Sequence, residues 1–280
     1  MSTPPLLPQP VPCVQAPAHW QCVDFMSDLH LDASEAATFD AWAHYMAHTP
    51  ADALFILGDL FEVWVGDDNQ DPFALQCMAV LKATAQRMPV YFMCGNRDFL
   101  VGAALLNATG MQGLNDPTVL DLGATGPRIL LSHGDALCLD DHDYLTFRAQ
   151  VRQPEWQAAF LAKPLAERQA YARSIRQQSE ARKQTHTDYA DVDTAAARAW
   201  LTASHAQVLI HGHTHKPASH DLSHGLSRWV LSDWHATSQP PRRCCAWKWP
   251  QTCPHLPRTT MHAVLCSCKC SPAATTRRLK

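Results

Sequence analysis

The chain has 280 residues, 18% of them charged, and a formal net charge of −3, enough for one large domain or a domain carrying an insert. No Asp or Glu follows Asp233 whereas eight Lys and Arg do, so residues 1–233 hold 15 basic and 26 acidic side chains, a net of −11. So acidic a body argues against non-specific nucleic-acid binding and suits carboxylates gathered for cations; nor does any run reach the roughly 18 apolar residues that a membrane-spanning helix requires.

Residues 1–20 carry six prolines and no charged side chain, which predicts a disordered N-terminal extension. They lack a basic n-region and an unbroken apolar h-region, so a secretory signal is not expected and the default location is the cytoplasm. A folded domain is expected over 21–238. Its strands are the short apolar runs Cys22–Met26, Ala53–Leu57, 90–94, 129–131 and 208–210, rich in β-branched or aromatic residues. A helix capped by Ser34 should run to about His48, with Phe39, Trp42, Ala43 and Met46 on one face. Another should run from Pro72 to about Met88, the proline sitting in the first turn. Such alternation of strand and helix implies an α/β architecture, in which ligands bind outside the carboxyl ends of the strands.

From about 140 to 205 the chain reads as a helical cap inserted beside that edge, with Tyr144, Val151, Trp156 and Phe160 among its apolar positions. The same stretch concentrates the basic residues of the body, Arg148, Arg152, Arg168, Arg176 and Lys183 among them. They form either the solvated face of a helical hairpin or a surface turned to an anionic substrate or lipid. The stretch 239–280 loses hydrophobic periodicity and is basic and cysteine-rich, without the paired spacing of a zinc site. It reads as a disordered or frame-shifted tail, with a metal-binding or redox tail as the alternative.

Five motifs follow the five strands: Asp28-Leu29-His30, Gly58-Asp59, Gly95-Asn96-Arg97-Asp98, His133-Gly134-Asp135 and His211-Gly212-His213-Thr214-His215. Each alone is weak, since a Gly-Asp after a strand is often only a turn and a lone His133 is more often structural. All five at strand ends describe one site. Two metal ions about 3.5–4 Å apart can clamp the attacking and leaving oxygens of a phosphoryl displacement. Asp59, with two oxygens, suits the bridge between them; Asp28 and His30, like His213 and His215, are two residues apart, so a turn must bring both inward. Mixed imidazole and carboxylate donors suit manganese, iron or zinc better than calcium.

These residues resemble the calcineurin-like metallophosphoesterases, whose pattern is Asp-x-His, Gly-Asp, Gly-Asn-His-Asp/Glu, His and Gly-His-x-His. The resemblance implies a β-sandwich flanked by helices, here with the cap inserted. It implies one ion held by Asp28, His30, Asp59 and His215, and a second by Asp59, Asn96, His133 and His213. The departure is Arg97, where that family usually has a histidine that protonates an alkoxide leaving group. Arginine stays protonated at any working pH, so it stabilises a phosphoryl oxygen instead. A leaving group that needs no proton is then favoured, such as a phosphate monoester with a second pKa of about 6. That points to pyrophosphate cleavage.

The run from Ile56 through Gly58-Asp59-Leu60-Phe61-Glu62-Val63-Trp64-Val65-Gly66-Asp67-Asp68, together with Gly95-Asn96-Arg97-Asp98-Phe99-Leu100 and His211-Gly212-His213-Thr214-His215, is similar to the UDP-2,3-diacylglucosamine hydrolase family over roughly residues 20–235. The similarity implies hydrolysis of a nucleotide–lipid of lipid A synthesis to UMP and 2,3-diacylglucosamine 1-phosphate, by a metal-activated hydroxide attacking the phosphorus nearer uridine. It implies two Mn2+ per chain and a peripheral position at the cytoplasmic face of the inner membrane. Catalysis then involves Asn96, Arg97 and His213, with substrate contacts at Asn96, Arg97, His213, Asp141, Ser179, Lys183 and His186. Trp156, Phe160 and Leu161 are candidates for an acyl groove or for simple helix packing. A general metallophosphodiesterase or nucleotide-sugar pyrophosphatase is the alternative that would share every ligand.

Overall fold

The computed structural model describes residues 7–124, 126–185 and 190–234 and the strands at 245–248 and 264–265, with side chains left aside beyond residue 177 of the longest helix and in those last two strands. In chain order the strands are β1 (Cys13–Gln15), β2 (Cys22–Met26), β3 (Ala53–Leu57), β4 (Val90–Met93), β5 (Gln112–Leu114), β6 (Thr118–Asp121), β7 (Arg128–Leu131), β8 (Val208–His211), β9 (Ala218–Asp221), β10 (Ser227–Val230), β11 (Cys245–Lys248) and β12 (Val264–Leu265). The helices are α1 (Ala36–His48), α2 (Pro72–Ala85), α3 (Ala103–Thr109), α4 (His142–Val151), α5 (Pro154–Leu161), α6 (Leu165–Thr185) and α7 (Thr194–Ser204).

Among the described residues the strands form two sheets, ordered β12-β11-β2-β3-β4-β5 and β1-β6-β7-β8-β10-β9. The apolar runs are continuous because both faces of each central strand are covered. Along β3 the alternation of the pleat sends Ala53, Phe55 and Leu57 to the core between the sheets, where they meet Ile129, Leu131, Val208 and Ile210. Leu54 and Ile56 point the other way, against Trp42 and Met46 of α1 and Leu81 of α2. On the far side of the second sheet Leu130 and Leu209 pack on Ala197, Trp200 and Leu201 of α7. This is the expected helix-flanked sandwich. Pairing of β2 with β3, β3 with β4, and β7 with β8 is parallel, so the five motif loops leave their strands at one common edge.

The N-terminal extension expected to be disordered is instead used in part. Its residues Cys13, Val14 and Gln15 form β1, parallel to β6, and both Leu7 and Trp20 are buried. The tail also departs from expectation, since β11 pairs antiparallel with β2 from Cys245↔Phe25 to Lys248↔Cys22 and covers an edge otherwise open to other chains; the remainder of 239–280 lies outside the described residues. Ser34 does not cap α1. The N-cap position is Glu35, with no side-chain bond, because Asp32 draws both the amide and the hydroxyl of Ser34 into a local turn at 2.9 and 2.6 Å. Asp71 caps α2 by accepting from Phe73 N at 2.8 Å.

The helical stretch expected over 140–205 divides. Helix α7 belongs to the sandwich, whereas α4, α5 and α6 stand beside the motif edge. A buried cation fastens them there. Arg168 of α6, 2% exposed, donates to the Val65 and Lys163 carbonyls and pairs with Asp68. Gly66, at φ +137°, leaves the room that this guanidinium occupies.

Candidate dinuclear metal centre

Five of the predicted ligands sit in the left-handed backbone region that non-glycine residues rarely adopt: Asp28 (φ 53°), His30 (49°), Asp59 (53°), His213 (66°) and His215 (54°). This sharp reversal after each strand turns residues two apart to the same side. Such local strain persists where the surroundings fix it, and it clusters at functional sites. Close backbone approach completes the geometry. A Cβ on Gly58 would lie 2.6 Å from Gly95 Cα, and one on Gly212 would overlap Asp28 Oδ2 and Ser27 Oγ. Gly212→Ala is therefore expected to displace Asp28, destabilise the fold by about 1–3 kcal/mol and weaken metal binding; thermal unfolding and metal titration of the variant check both.

The donors converge. Nε2 of His30 and Nε2 of His215 face each other at 3.3 Å, and His215 Nε2 is 3.3 Å from Asp28 Oδ1. Opposite them, Asn96 Oδ1 lies 2.9 Å from both His133 Nε2 and His213 Nδ1, and His133 Nε2 is 3.8 Å from Asp59 Oδ1. Among the described residues, two sets of donor atoms lie within ion-binding reach of one another: Asp28, His30 and His215, and Asp28, Asp59 and His133. A pair of metal ions fits this arrangement. Two imidazole lone pairs aimed at each other beside a buried carboxylate gain most from a cation between them. The outer bonds also match, since His133 Nδ1 donates to the Leu57 carbonyl at 2.9 Å and so leaves Nε2 as the atom that could bind an ion. Asp28 accepts from the His213 amide at 2.9 and 3.1 Å and from Ser27 Oγ at 2.6 Å.

Electrostatics follow from crowding without water. Burial opposes charge on Asp28, but the His215 hydrogen bond and the charges of His133, His215 and His30 hold it well below the usual carboxylate range. Burial likewise opposes a charged His133, yet Asp59, Asp135 and Asp28 outweigh it and push the imidazole up to about 9. For His213, burial and the neighbouring His133 bring the value down to about 4. Metal-free protein at neutral pH therefore holds a protonated His133 and a neutral His213. A ligand must be deprotonated to bind, so near neutral pH metal uptake should release a proton from His133, a further share from His215, which Asp28 raises against the effect of burial, and none from His213. Metal affinity should rise with pH until about 9, and titration calorimetry in buffers of different ionisation enthalpy measures the release.

Several side chains at the site had no role assigned from sequence. Asp98, fully buried, accepts from the amides of Gly95 and Leu60 at 2.7 Å and of Asp59 at 3.3 Å, which locks two motif loops together; burial and the charge of Asp59 push it up to about 6. Asp135 accepts from the Tyr144 hydroxyl and from Arg148 Nε at 2.8 Å, while the Tyr144 ring stacks on His213 at 5.9 Å. Arg152 donates to the Gly95 carbonyl at 2.7 Å. Helix α4 thus lies against two motif loops. Asp98 and Asp135 stood inside the quoted motifs, but only the fold reveals their partners.

Arg97 is at the centre. Its amide donates to Asp59 Oδ1 at 2.9 Å, Nε is 3.9 Å from Asp59 Oδ2, and Nη1 pairs with Glu62. Of the other predicted contacts, Asp141 spends its carboxylate on capping α4, accepting from Tyr144 N at 3.1 Å. Ser179 and Lys183 lie on α6 with their side chains outside the description, and His186 lies outside the described residues. Phe160 is buried and stacks on Trp156 at 4.8 Å, the packing role, whereas Leu161 is 41% exposed. No helix among the described residues is long and apolar enough to cross a membrane.

Strand-end loops with left-handed aspartates and histidines around paired cation sites mark a dinuclear phosphoesterase, and the chain belongs to the calcineurin-like phosphoesterase family, whose signature matches residues 23–217. Within it, a Chromobacterium violaceum protein named UDP-2,3-diacylglucosamine hydrolase is 50% identical over 222 residues, 76% of this chain and 90% of that one. A Bordetella pertussis protein of the same name is 43% identical over 226 residues, covering 77% and 87%. Among solved structures, a dimetal phosphatase from Danio rerio overlays with a TM-score of 0.45 at 14% identity, over 81% of this chain and 92% of that one.

Proposed function

We propose that the chain hydrolyses the pyrophosphate bond of UDP-2,3-diacylglucosamine to UMP and 2,3-diacylglucosamine 1-phosphate, as the names of its relatives suggest. The observation that carries the reading to a diphosphate is the guanidinium of Arg97 at the Asp59 carboxylate, where a proton-donating histidine would serve an alkoxide. Asp28, His30, Asp59 and His215 would hold one divalent ion, and Asp59, Asn96, His133 and His213 the other; the mixed nitrogen and oxygen donors suit manganese, iron or zinc, of which manganese is the ion proposed. When bound, such ions polarise the phosphoryl oxygens and lower the pKa of a nucleophilic water.

The chain's own residues do the rest. The Asn96 amide and Arg97 hold the oxygens of the phosphate nearer uridine, with His213 beside them. Attack by the oxygen of a water that has given one proton to solvent breaks the bond from that phosphorus to the bridging oxygen, and the sugar 1-phosphate departs as an anion without needing a proton. Exposed Leu161 and Tyr171, both 41% accessible on α5 and α6, suit an acyl chain or the surface of the inner membrane, to which a peripheral protein would bind from the cytoplasmic side. Ser179 and Lys183 of α6, the second carboxylate oxygen of Asp141 and the side chain of His186 would contact the sugar–nucleotide.

The assay offers UDP-2,3-diacylglucosamine with Mn2+ and measures UMP. Release of UMP with marked preference over an unacylated UDP-sugar is the expected result. Equal turnover of both substrates would instead make the chain a general nucleotide-sugar pyrophosphatase, and no UMP at all would overturn the assignment.

A further inference from the structure

Glu62 ends the segment Gly58-Asp59-Leu60-Phe61-Glu62 and is only 8% exposed, yet it is surrounded by cations rather than by solvent. Its Oε2 lies 3.2 Å from His30 Nδ1, a buried nitrogen with no other partner. Its Oε1 faces the other way. There it pairs with Arg97 Nη1 and, at 3.1 Å, with Arg176 Nε of α6. One carboxylate therefore joins the first motif, the third motif and the long helix fastened by Arg168.

We propose that Glu62 is a positioning residue for both halves of the reaction centre. Toward His30 it fixes the ring with its proton on Nδ1, so that Nε2, already aimed at His215 Nε2 at 3.3 Å, is the atom left for a metal ion. A carboxylate behind an imidazole also raises the basicity of the ligating nitrogen. Toward Arg97 it holds the guanidinium beside Asp59, ready for a phosphoryl oxygen, and the shared oxygen Oε1 binds α6 to the same point. Charge and two accepting oxygens are both essential: two guanidinium groups and an imidazole N–H converge on one anion, whereas an amide of the same shape removes the charge and sets an N–H donor against one of those donors. The inference rests on the reading of His30 as a metal ligand.

The test measures Mn2+ binding to metal-free protein by calorimetry for wild type, Glu62→Gln, His30→Ala and the double variant. Glu62→Gln is expected to bind the ion held by His30 about 10–100-fold more weakly. In the His30→Ala background the same substitution should change that affinity by less than about 2-fold, because residues acting through one another are non-additive. Wild-type affinity in Glu62→Gln, or equal losses in both backgrounds, would overturn the proposal. So would a drop in the unfolding midpoint of metal-free Glu62→Gln with the metal Kd unchanged, which would make the residue merely structural. If His30→Ala itself binds Mn2+ like wild type, it is the metal assignment that fails, a distinct outcome. Should the amide variant not fold, Glu62→Asp serves instead; it keeps the charge, withdraws it from His30 and is expected to weaken binding in the same way.

Discussion

Asp28→Asn is expected to lower kcat/KM by about 10³-fold or more, ~4 kcal/mol of transition-state stabilisation. Asp28 is the carboxylate common to both sets of converging donors, and it is fully buried. Both of its oxygens accept from the His213 amide, and one also accepts from Ser27 Oγ. An amide would place an N–H donor against one of these donors and remove the negative charge that offsets a buried cation. A charge of this kind in a low-dielectric site is strongly coupled to its counter-ion. Metal content should fall in parallel with activity, while circular dichroism shows the sandwich intact. A variant that keeps two metal equivalents and loses less than 10-fold in kcat/KM would remove Asp28 from the centre.

The site was legible in sequence to the degree that its chemistry is local. Each ligand follows directly after an apolar run, and such runs are easy to read because β2, β3, β4, β7 and β8 are covered on both faces. Short or partly exposed strands were not legible. β1 is three residues among prolines, and it exists only because β6, more than a hundred residues later, offers an edge to Cys13, Val14 and Gln15. For β9 the exposed pattern left no apolar signal at all. Helix α7 looked like more of the helical insert, because amphipathicity does not say which partner a helix will meet; only contact with Leu130 and Leu209 does. The same limit hid Glu62, Asp135 and Arg168. Arg168 shows it most plainly: a cation at 2% exposure, paired with Asp68 a hundred positions earlier, has no signature in composition or period. Left-handed geometry at the ligands also escaped sequence reading, although the spacing of Asp28 and His30 demanded some reversal of the chain.

Arg97→His is expected to reduce turnover of UDP-2,3-diacylglucosamine by about 10²–10³-fold, the cost of losing one preorganised donor to a developing phosphoryl charge. The guanidinium presents its N–H groups in a fixed fork, and in this fold Asp59 and Glu62 hold it by two sides at once. Imidazole is shorter, offers at most two donors and is neutral for much of its population near pH 7. It would release Glu62 to His30 and Arg176 alone, and would no longer carry a permanent charge beside the phosphate. What histidine can supply is a proton. An alkyl phosphodiester, whose alkoxide leaves poorly without protonation, should therefore lose far less than the pyrophosphate does, or gain. The ratio of the two kcat/KM values in wild type and variant isolates this effect from general damage, because a distorted metal centre lowers both alike. Pyrophosphate cleavage unimpaired by the histidine would mean that Arg97 does not choose the leaving group. A ratio that shifts toward the alkyl diester would mean that one side chain beside two metal ions sets which phosphoester this sandwich cleaves.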